Sequence, residues 1–313
     1  MQTLIKVVLL LSGFIASTSY GMDRLTEKDT RQKFSPTSPQ LLRAVGKLTI
    51  AQSNSTNSCS ATLIDYGLDD SQYVLTSAHC LKSDAEMTWL STHNNKVVSR
   101  KATVEITNYI YDWALLKLSS PIPSSVIKGV YLLSEVTIPL IDWDLSYEYD
   151  SPFHYEAMEY YSTEDDGLFG NLDSFRRNLY VAGYSSDQEL GDSGRNLTYV
   201  HYGVEVVLAP IFNTNSGFNL VDAFTFGGAS GGAVLMEWLP DSNEDDYGDI
   251  GRPAILVGII KGAEGDNNFF TSANGATGST PSLMVNPVRF TVEVVEHLRK
   301  KYPSLENLSF TME

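Results

Sequence analysis

The chain has 313 residues, and 42% of them are apolar, which is enough for a buried core and excludes a wholly disordered protein. Its formal charge of −16 at pH 7 makes nucleic acid an unfavourable partner, because phosphate backbones are themselves anionic. The sequence has two cysteines and no CxxC, HExxH or clustered Cys/His spacing, so we expect no metal site and no cofactor.

Residues 1–21 have the layout of a cleaved signal peptide. Lys6 precedes an apolar run from Val7 to Ala16, and small residues follow at 17–19. The segment is short for a membrane span, and an uncleaved N-terminal anchor is the alternative. No later stretch is apolar for long enough to cross a bilayer. Cleavage near residues 19–21 predicts a secreted or periplasmic protein.

Residues 22–40 are polar with two prolines, so an extended lead-in or a short propeptide is predicted for residues 22–43. A single domain is expected to run from residue 44 to residue 313. Its first half contains runs of β-branched and aromatic residues separated by Gly, Asn, Asp and Ser clusters, a spacing that is typical of all-β proteins and suits a six-stranded barrel. These runs are 44–50, 60–64, 73–76, 87–90, 97–106 and 113–118.

The second half of the chain contains two acidic interruptions. Residues from about 142 to 177 are rich in Asp, Glu and Tyr, which predicts an inserted surface segment, and 241–251 predict an acidic hairpin tip. Further strand-like runs are expected at 180–184, 198–209, 232–239, 254–261 and 283–285. A C-terminal helix is predicted from its apolar face and its basic end, formed by Phe290, Val294, Val295, Leu298, Lys300 and Lys301.

Three motifs combine the residue types that nucleophilic catalysis needs. Ser230 lies among four glycines in FGGASGGAVL, where glycine allows a sharp turn that points backbone N–H groups at one place. His79 is in the run YVLTSAHC, and Asp112 begins the run DWALLKL. A serine hydroxyl is a poor nucleophile at neutral pH, so it needs a base within hydrogen-bond reach and a group that orients that base. His79 and Asp112 are the candidates for these two roles.

The strings SAHC, DWALLKL and GASGGAVL, in the order His, Asp, Ser, resemble those of trypsin/chymotrypsin-like serine peptidases. The resemblance is nearer to bacterial and V8-like branches than to digestive trypsins. It implies an all-β fold with two six-stranded antiparallel β-barrels, an active site between them and a C-terminal helix. It also implies a secreted serine endopeptidase with a protein or peptide substrate, and we expect a monomer. Supporting segments are 58–64, 181–184, 254–260 and 290–301.

The resemblance also implies the catalytic roles. Ser230 would form the acyl-enzyme, His79 would act as general base and then general acid, and Asp112 would orient the imidazole. The backbone N–H groups of Gly228 and Ser230 would form the oxyanion hole, where each donor is worth about 3 kcal/mol of transition-state stabilisation.

Two further expectations follow from the resemblance. Cys59 would pair with Cys80 and contribute about 3 kcal/mol of stability, and two free thiols are the alternative.

Digestive members carry an aspartate just before the serine, and this aspartate binds the new N-terminus that cleavage creates. This chain has Ala229 at that position. Activity is therefore not expected to depend on cleavage of the Arg43–Ala44 bond.

The substrate pocket implied by the family alignment lacks an acidic floor. An aromatic residue stands where trypsins have an aspartate, so a buried Arg or Lys side chain of the substrate would have no counter-charge. We expect a shallow pocket that accepts small or apolar side chains of the substrate. The alternative, if Lys261 points inward, is a pocket that accepts an acidic side chain of the substrate. The pocket residues are Phe224, Thr225, Lys261, Ala263 and Ser282.

Other interpretations of the motifs remain. Ser193 lies in a GDSG string, but it follows Gly183 too closely, and Arg195-Asn196 stand where a second glycine is needed. The GxSxG around Ser230 also fits an α/β-hydrolase esterase, although no suitable histidine follows it. A catalytically inactive homologue that serves as a binding module is the third alternative.

Overall fold

The structure is a computed structural model, and the part of the chain that it describes comprises residues 29–66, 70–93, 96–132, 177–202, 218–221, 223–238, 254–262, 268–280, 282–285 and 288–303. The predicted signal peptide 1–21, nearly all of the insertion 142–177, the acidic tip 241–251 and the pocket residue Ala263 lie outside the described residues.

Six strands of the N-terminal half close into an antiparallel barrel. Around the ring, β2 pairs with β3, β3 with β4, β4 with β7, β7 with β6, β6 with β5, and β5 again with β2. The strand runs predicted for this half are confirmed, and each observed strand extends beyond its predicted run. The strands are β1 (Gln32–Lys33), β2 (Val45–Gln52), β3 (Ser55–Asp65), β4 (Asp70–Thr76), β5 (Glu86–His93), β6 (Lys96–Asn108), β7 (Trp113–Pro123) and β8 (Val130–Leu132).

Hairpin geometry and core packing explain these strands. Gln52 pairs with Ser55 across a two-residue turn, so β3 begins in exposed polar residues that apolar patterning does not detect. In the core, the fully buried Trp89 donates its indole N–H to the carbonyl of Ala61 at 2.9 Å. A Cβ on Gly46 would lie 2.3 Å from the Trp89 ring, so only glycine fits against this side chain.

Six strands of the C-terminal half form an antiparallel sheet in the order β10-β9-β13-β14-β17-β11. Three short strands form a second small sheet in the order β12-β16-β15. The strands of this half are β9 (Arg177–Tyr184), β10 (Leu197–Tyr202), β11 (Phe218–Val221), β12 (Thr225–Phe226), β13 (Ala233–Trp238), β14 (Ala254–Gly262), β15 (Asn268–Thr271), β16 (Thr277–Thr280) and β17 (Ser282–Val285).

Two short strands that the sequence did not predict connect parts of the fold. Strand β8 pairs in parallel with β3 on one side and with β14 on the other, so it joins the barrel to the C-terminal sheet. Strand β1 pairs antiparallel with β10, which brings the lead-in onto the C-terminal sheet. Their two and three residues are too few for a periodic pattern.

Within the described residues, the last strand is followed by the predicted α-helix, α1 (Val288–Lys301). Phe290, Val294 and Leu298 are buried in the same apolar cluster as the barrel core, while Val295 is only half-buried. The helix end is held by Glu105 of β6, which accepts two hydrogen bonds from Lys301 Nζ at 2.7 and 2.8 Å. No helix of the described residues is both long enough and apolar enough to cross a membrane.

The Glu105–Lys301 pair yields a prediction about pH-dependent stability. Burial raises the pKa of Glu105, but the hydrogen bonds and charge of Lys301, assisted by His297, hold it below its ordinary value. The folded state therefore favours the carboxylate, and the stabilisation present at pH 7 is lost as the pH falls through the range in which Glu105 becomes protonated.

We expect Glu105→Gln to lower the free energy of unfolding at pH 7 by up to about 1 kcal/mol and to have no effect near pH 3. Urea unfolding at both pH values measures this difference. The matched control is Glu86→Gln, which removes an exposed ion pair with Lys101 and should leave stability unchanged. An equal loss for Glu105→Gln at both pH values would contradict this account.

Candidate active site

Strand pairing brings His79 and Asp112 together. His79 lies in a 3-10 turn, Ala78–Cys80, just after β4, and Asp112 immediately precedes β7. Because Thr76 of β4 pairs with Ala114 of β7, the end of one strand meets the start of the other. His79 Nδ1 lies 2.8 Å from Asp112 Oδ2, and the His79 backbone N–H donates to Asp112 Oδ1 at 2.8 Å.

The environments of the two side chains suit an oriented base. Asp112 is buried with 9% of its side chain exposed, whereas the His79 side chain is 47% exposed. An ionised carboxylate only accepts hydrogen bonds, so it holds the Nδ1 position as N–H and leaves Nε2 as the basic nitrogen. Asp112 has φ of 56°, a left-handed conformation that costs a non-glycine residue about 1–2 kcal/mol and that the sequence did not reveal.

Residues Phe226–Gly232, which we call the serine loop, carry Ser230 between β12 and β13. The loop is fastened to the barrel, since Ser60 N–H donates to the carbonyl of Ser230 at 2.7 Å. It is also fastened to β14, since Gly231 N–H donates to the carbonyl of Ile260 at 2.7 Å. Gly231 has φ of 81°, and a Cβ there would lie 2.1 Å from the carbonyl oxygen of Ser60.

The histidine turn contacts the same region as the serine loop. Ser77 Oγ donates to the carbonyl of Ile260 at 2.8 Å, and Cys80 Sγ lies 3.9 Å from the carbonyl oxygen of Ser230. Cys80 forms the expected disulfide with Cys59 of β3, which fixes the turn to the strand next to the serine loop. The turn and the loop therefore face each other across the junction of the two halves.

The Ser230 hydroxyl donates to the backbone carbonyl of Lys261 at 3.1 Å. Among the hydrogen bonds of the described residues, none joins His79 to Ser230. A serine nucleophile needs a hydrogen bond to its base, and here the hydroxyl is bonded to the Lys261 carbonyl instead. Catalytic hydrogen bonds are often long in a protein without substrate and shorten only in the complex. A rotation of the serine side chain about χ1 moves its hydroxyl from one acceptor to another.

The expected oxyanion donors lie in the serine loop. Gly228 has φ of 91°, and a Cβ there would lie 2.7 Å from the carbonyl oxygen of Tyr184, so glycine is required. The Ala229 N–H is used within the loop, where it donates to the carbonyl of Phe226 at 3.0 Å. By contrast, the N–H groups of Gly228 and Ser230 donate to no backbone carbonyl within the described part of the chain. Two neighbouring N–H groups of this kind can hold a negative oxygen.

The structure brings together two of the predicted pocket residues. Thr225 Oγ1 lies 2.5 Å from Ser282 Oγ, which in turn donates to the carbonyl of Ala223 at 3.0 Å. Phe224 packs instead into a small apolar cluster with Phe226. This pocket region thus contains hydroxyl and aromatic groups, and the Lys261 backbone contributes the carbonyl that Ser230 binds.

The serine and histidines judged unsuitable lie elsewhere. Ser193 occupies a tight turn with φ of 54°, and its hydroxyl donates to Gln188 Oε1 at 3.1 Å. His201 stacks on Tyr180 with ring centroids 4.8 Å apart, and His297 lies on α1 beside Glu105. His154 lies outside the described residues, and so does the side chain of His93.

A buried charged cluster was missed by sequence reasoning. Arg31 in the lead-in is 6% exposed and pairs with Asp187, which is fully buried. The segment EKDTRQK that contains Arg31 has the composition of a solvated linker, so its sequence gave no signal of burial. The hydroxyl of Ser60, which donates to the carbonyl of Gly228 at 2.9 Å, was also missed, because a polar side chain in a strand gives no local signal of a partner far away in the chain.

Residues 34–198 match the sequence model of the family described as Trypsin. No curated protein sequence matches the chain.

Several solved structures that resemble the chain are described as proteases or peptidases. A Glu endopeptidase in complex with MPD has 16% identity, covers 88% of this chain and 98% of its own, and gives a TM-score of 0.47. Protease Anisep from Arthrobacter nicotinovorans has 12% identity with 80% and 93% coverage and a TM-score of 0.43. Neuropsin from mouse brain has 13% identity with 86% and 98% coverage and a TM-score of 0.44. These low scores support no conclusion about substrate or activity.

The two glycines Gly231 and Gly275 allow a matched test of the serine loop. Both have φ near 80°, so alanine costs about 1–2 kcal/mol of backbone strain at either position. At Gly275 the added methyl group has nothing within 4 Å, whereas at Gly231 it collides with the backbone of Ser60. We expect Gly231→Ala to lose about 1–3 kcal/mol more stability than Gly275→Ala in urea unfolding. Equal losses would show that the loop is not held against β3.

Proposed function

Since the chain belongs to the trypsin family, we propose that it is a secreted serine endopeptidase that hydrolyses peptide bonds through an acyl-enzyme on Ser230. The observation that carries the proposal is the pairing of a buried Asp112 with a half-exposed His79, on a turn whose Cys80 lies against the Ser230 carbonyl of the serine loop. The secreted location rests on the predicted signal peptide, residues 1–21. The six antiparallel strands of the C-terminal half support a second barrel. The peptidase domain would comprise the predicted residues 44–313, with the lead-in packed onto it through β1.

The proposed reaction begins when a peptide substrate enters between the two halves. The Ser230 hydroxyl turns from the Lys261 carbonyl toward His79 Nε2, which accepts its proton as Oγ attacks the carbonyl carbon of the substrate. The carbonyl π electrons move to oxygen, and the N–H groups of Gly228 and Ser230 stabilise the resulting anion. Asp112 stabilises the imidazolium that His79 becomes.

The intermediate then collapses to the acyl-enzyme. The C–N bond breaks, and His79 gives its proton to the leaving amine, so that a free amino terminus departs. A water molecule attacks the ester carbonyl, and its proton passes to His79. The second collapse breaks the bond to Ser230 Oγ, which recovers the proton, and releases the carboxylic acid. Neither step needs a cofactor, because the chain supplies base, acid and anion donors.

A second candidate is a catalytically inactive homologue that binds peptides on the same surface. The observation that favours it is the hydrogen bond from Ser230 to the Lys261 carbonyl, since a hydroxyl held there is not activated by His79. The esterase alternative has no comparable support, because its α/β-hydrolase fold needs a largely parallel sheet, whereas the described strands pair antiparallel except at β8.

A fluorophosphonate probe tests the proposed nucleophile, because such probes react with activated serine hydroxyls. We expect covalent labelling of the wild-type chain, complete loss in Ser230→Ala, and full labelling in Ser193→Ala, because the Ser193 hydroxyl is hydrogen-bonded to Gln188 and Asn274. Asp112→Asn should lower the hydrolysis rate by about 10⁴-fold, because the wrong imidazole tautomer is then favoured. Intact mass and gel fluorescence report the labelling.

Other labelling results would point elsewhere. Labelling that persists in Ser230→Ala would contradict the assigned nucleophile, and a folded wild-type chain that never labels would favour the binding module. Circular dichroism of each variant separates loss of chemistry from loss of fold.

The pocket composition predicts the residue that precedes the cleaved bond. Thr225 and Ser282 provide hydroxyls but no carboxylate, so a substrate Arg or Lys would be buried without a counter-charge at a cost of several kcal/mol. We expect cleavage after small or apolar residues, measured with a peptide library randomised at that position. A preference for Arg or Lys would refute the alignment of the pocket. A preference for Glu that disappears in Lys261→Ala would instead show that this lysine points inward.

A further inference from the structure

Arg31 of the lead-in is buried between two carboxylates. Its guanidinium makes a two-pronged contact with Asp187, with Nη1 to Oδ1 at 2.8 Å and Nη2 to Oδ2 at 3.1 Å. Its Nη2 also donates to Asp29 Oδ2 at 2.7 Å. Only 2% of the Arg31 side chain and none of the Asp187 side chain is exposed. Charged side chains are almost never this buried unless they are paired, and here the pairing links positions 156 residues apart.

The loop after β9 is arranged around this carboxylate. Asp187 Oδ2 accepts the backbone N–H groups of Leu190 and Gly191 at 2.9 and 3.0 Å. Burial raises the pKa of Asp187, but Arg31 and these N–H groups lower it below its ordinary value, so the carboxylate stays ionised. The pair is therefore a fixed ion pair at neutral pH.

The same pair contacts the N-terminal part of the serine loop. The Arg31 guanidinium carbon lies 4.7 Å from the centroid of the Phe226 ring, within the range of a cation–π contact. Ser186, next to Asp187, donates its N–H to the carbonyl of Gly227 at 2.8 Å. Phe226 and Gly227 are the two residues that precede Gly228, whose N–H is a proposed oxyanion donor.

Strand β1 holds Arg31 in place. Gln32 and Lys33 pair with Tyr199 and Thr198 of β10, and Phe34 N–H donates to the carbonyl of Leu197 at 2.9 Å. The lead-in from Asp29 onward is thus packed as part of the fold.

We propose that Arg31 is a positioning residue, whose buried pair with Asp187 holds the serine loop in the conformation that presents the Gly228 and Ser230 N–H groups. This inference rests on the proposed peptidase function. It explains how the loop is held although Ala229, which is buried, offers no carboxylate for a new N-terminus. The cation comes from a side chain of the uncut chain.

The bond after Arg43 is a poor place for activation by cleavage. The Arg43 carbonyl accepts a hydrogen bond from Ser91 Oγ at 2.7 Å, and Ala44, immediately before β2, is fully buried. The intact chain is therefore expected to be active, and Arg43→Gln should keep full activity without any cut.

Kinetics of full-length variants test the positioning role. Arg31→Met keeps much of the side-chain length but removes the charge. In this variant we expect kcat per active site to fall about 100-fold, the scale of losing one oxyanion donor, and KM to change less than about threefold. Arg31→Lys should recover part of the loss. The matched control is Arg195→Met, since Arg195 is exposed and pairs with Asp192 in the same loop after β9.

Active sites are counted by fluorophosphonate labelling of folded protein, and kcat is expressed per labelled site. A purely structural role would lower the labelled fraction but leave kcat per labelled site at the wild-type value, and that result would overturn the inference. If Arg31→Met does not fold, Arg31→Lys is decisive: we expect about a tenfold fall in kcat, and an unchanged value would overturn the proposal.

Two results separate this inference from the proposed function. A wild-type chain that neither labels nor hydrolyses peptides overturns the peptidase function, and the positioning role with it. A wild-type chain that is active uncut but loses activity in Arg43→Gln overturns the positioning role alone. A wild-type chain that gains activity only after cleavage at residue 43 does the same.

Discussion

Ser60 forms four hydrogen bonds that reach three parts of the structure. Its N–H donates to the carbonyl of Ser230, and its carbonyl accepts from Thr76 Oγ1 at 2.7 Å. Its hydroxyl donates to the carbonyl of Gly228 at 2.9 Å and accepts the N–H of Tyr184 at 2.8 Å. Ser60 is fully buried, so these bonds form in a low-dielectric interior where each is strong and costly to lose. One residue of β3 thereby joins the serine loop, β4 and β9.

This junction determines the geometry of the proposed site. His79 and Asp112 are fixed by the barrel, through the pairing of β4 with β7, whereas the serine loop belongs to the C-terminal half. The relation between base and nucleophile therefore depends on the contacts that cross the junction, and two of the Ser60 hydrogen bonds end on the serine loop itself. The disulfide between Cys59 and Cys80 adds to these contacts, because it links the residue before Ser60 to the residue after His79.

The sequence predicted what depends on local pattern. Alternation and turn residues located the six barrel strands, and the apolar face located α1. The three motifs indicated residues that the fold brings to one junction. What the sequence did not predict depends on contacts between distant segments: strands β1 and β8, the burial of Ser60 and the left-handed conformation of Asp112. Polar residues carry no local signal of burial, because their partners are far away in the chain.

The lead-in shows why such contacts matter for the serine loop. Glycine-rich segments lose much conformational entropy when they are fixed, so a loop that must point N–H groups into an open site needs bracing from outside. Ser60 and Ile260 brace the loop from Gly228 onward, whereas Arg31 and Ser186 contact Phe226 and Gly227.

Where the stabilising positive charge is a new N-terminus, the loop is ordered only after cleavage. An arginine within the chain supplies that charge permanently. That arrangement constrains processing, because Asp29 shares the ion pair and β1 follows it directly. An N-terminal cut that leaves the ion pair of Arg31 with Asp29 and Asp187 intact must therefore fall before residue 29. The predicted signal-peptide cleavage near residues 19–21 meets this condition.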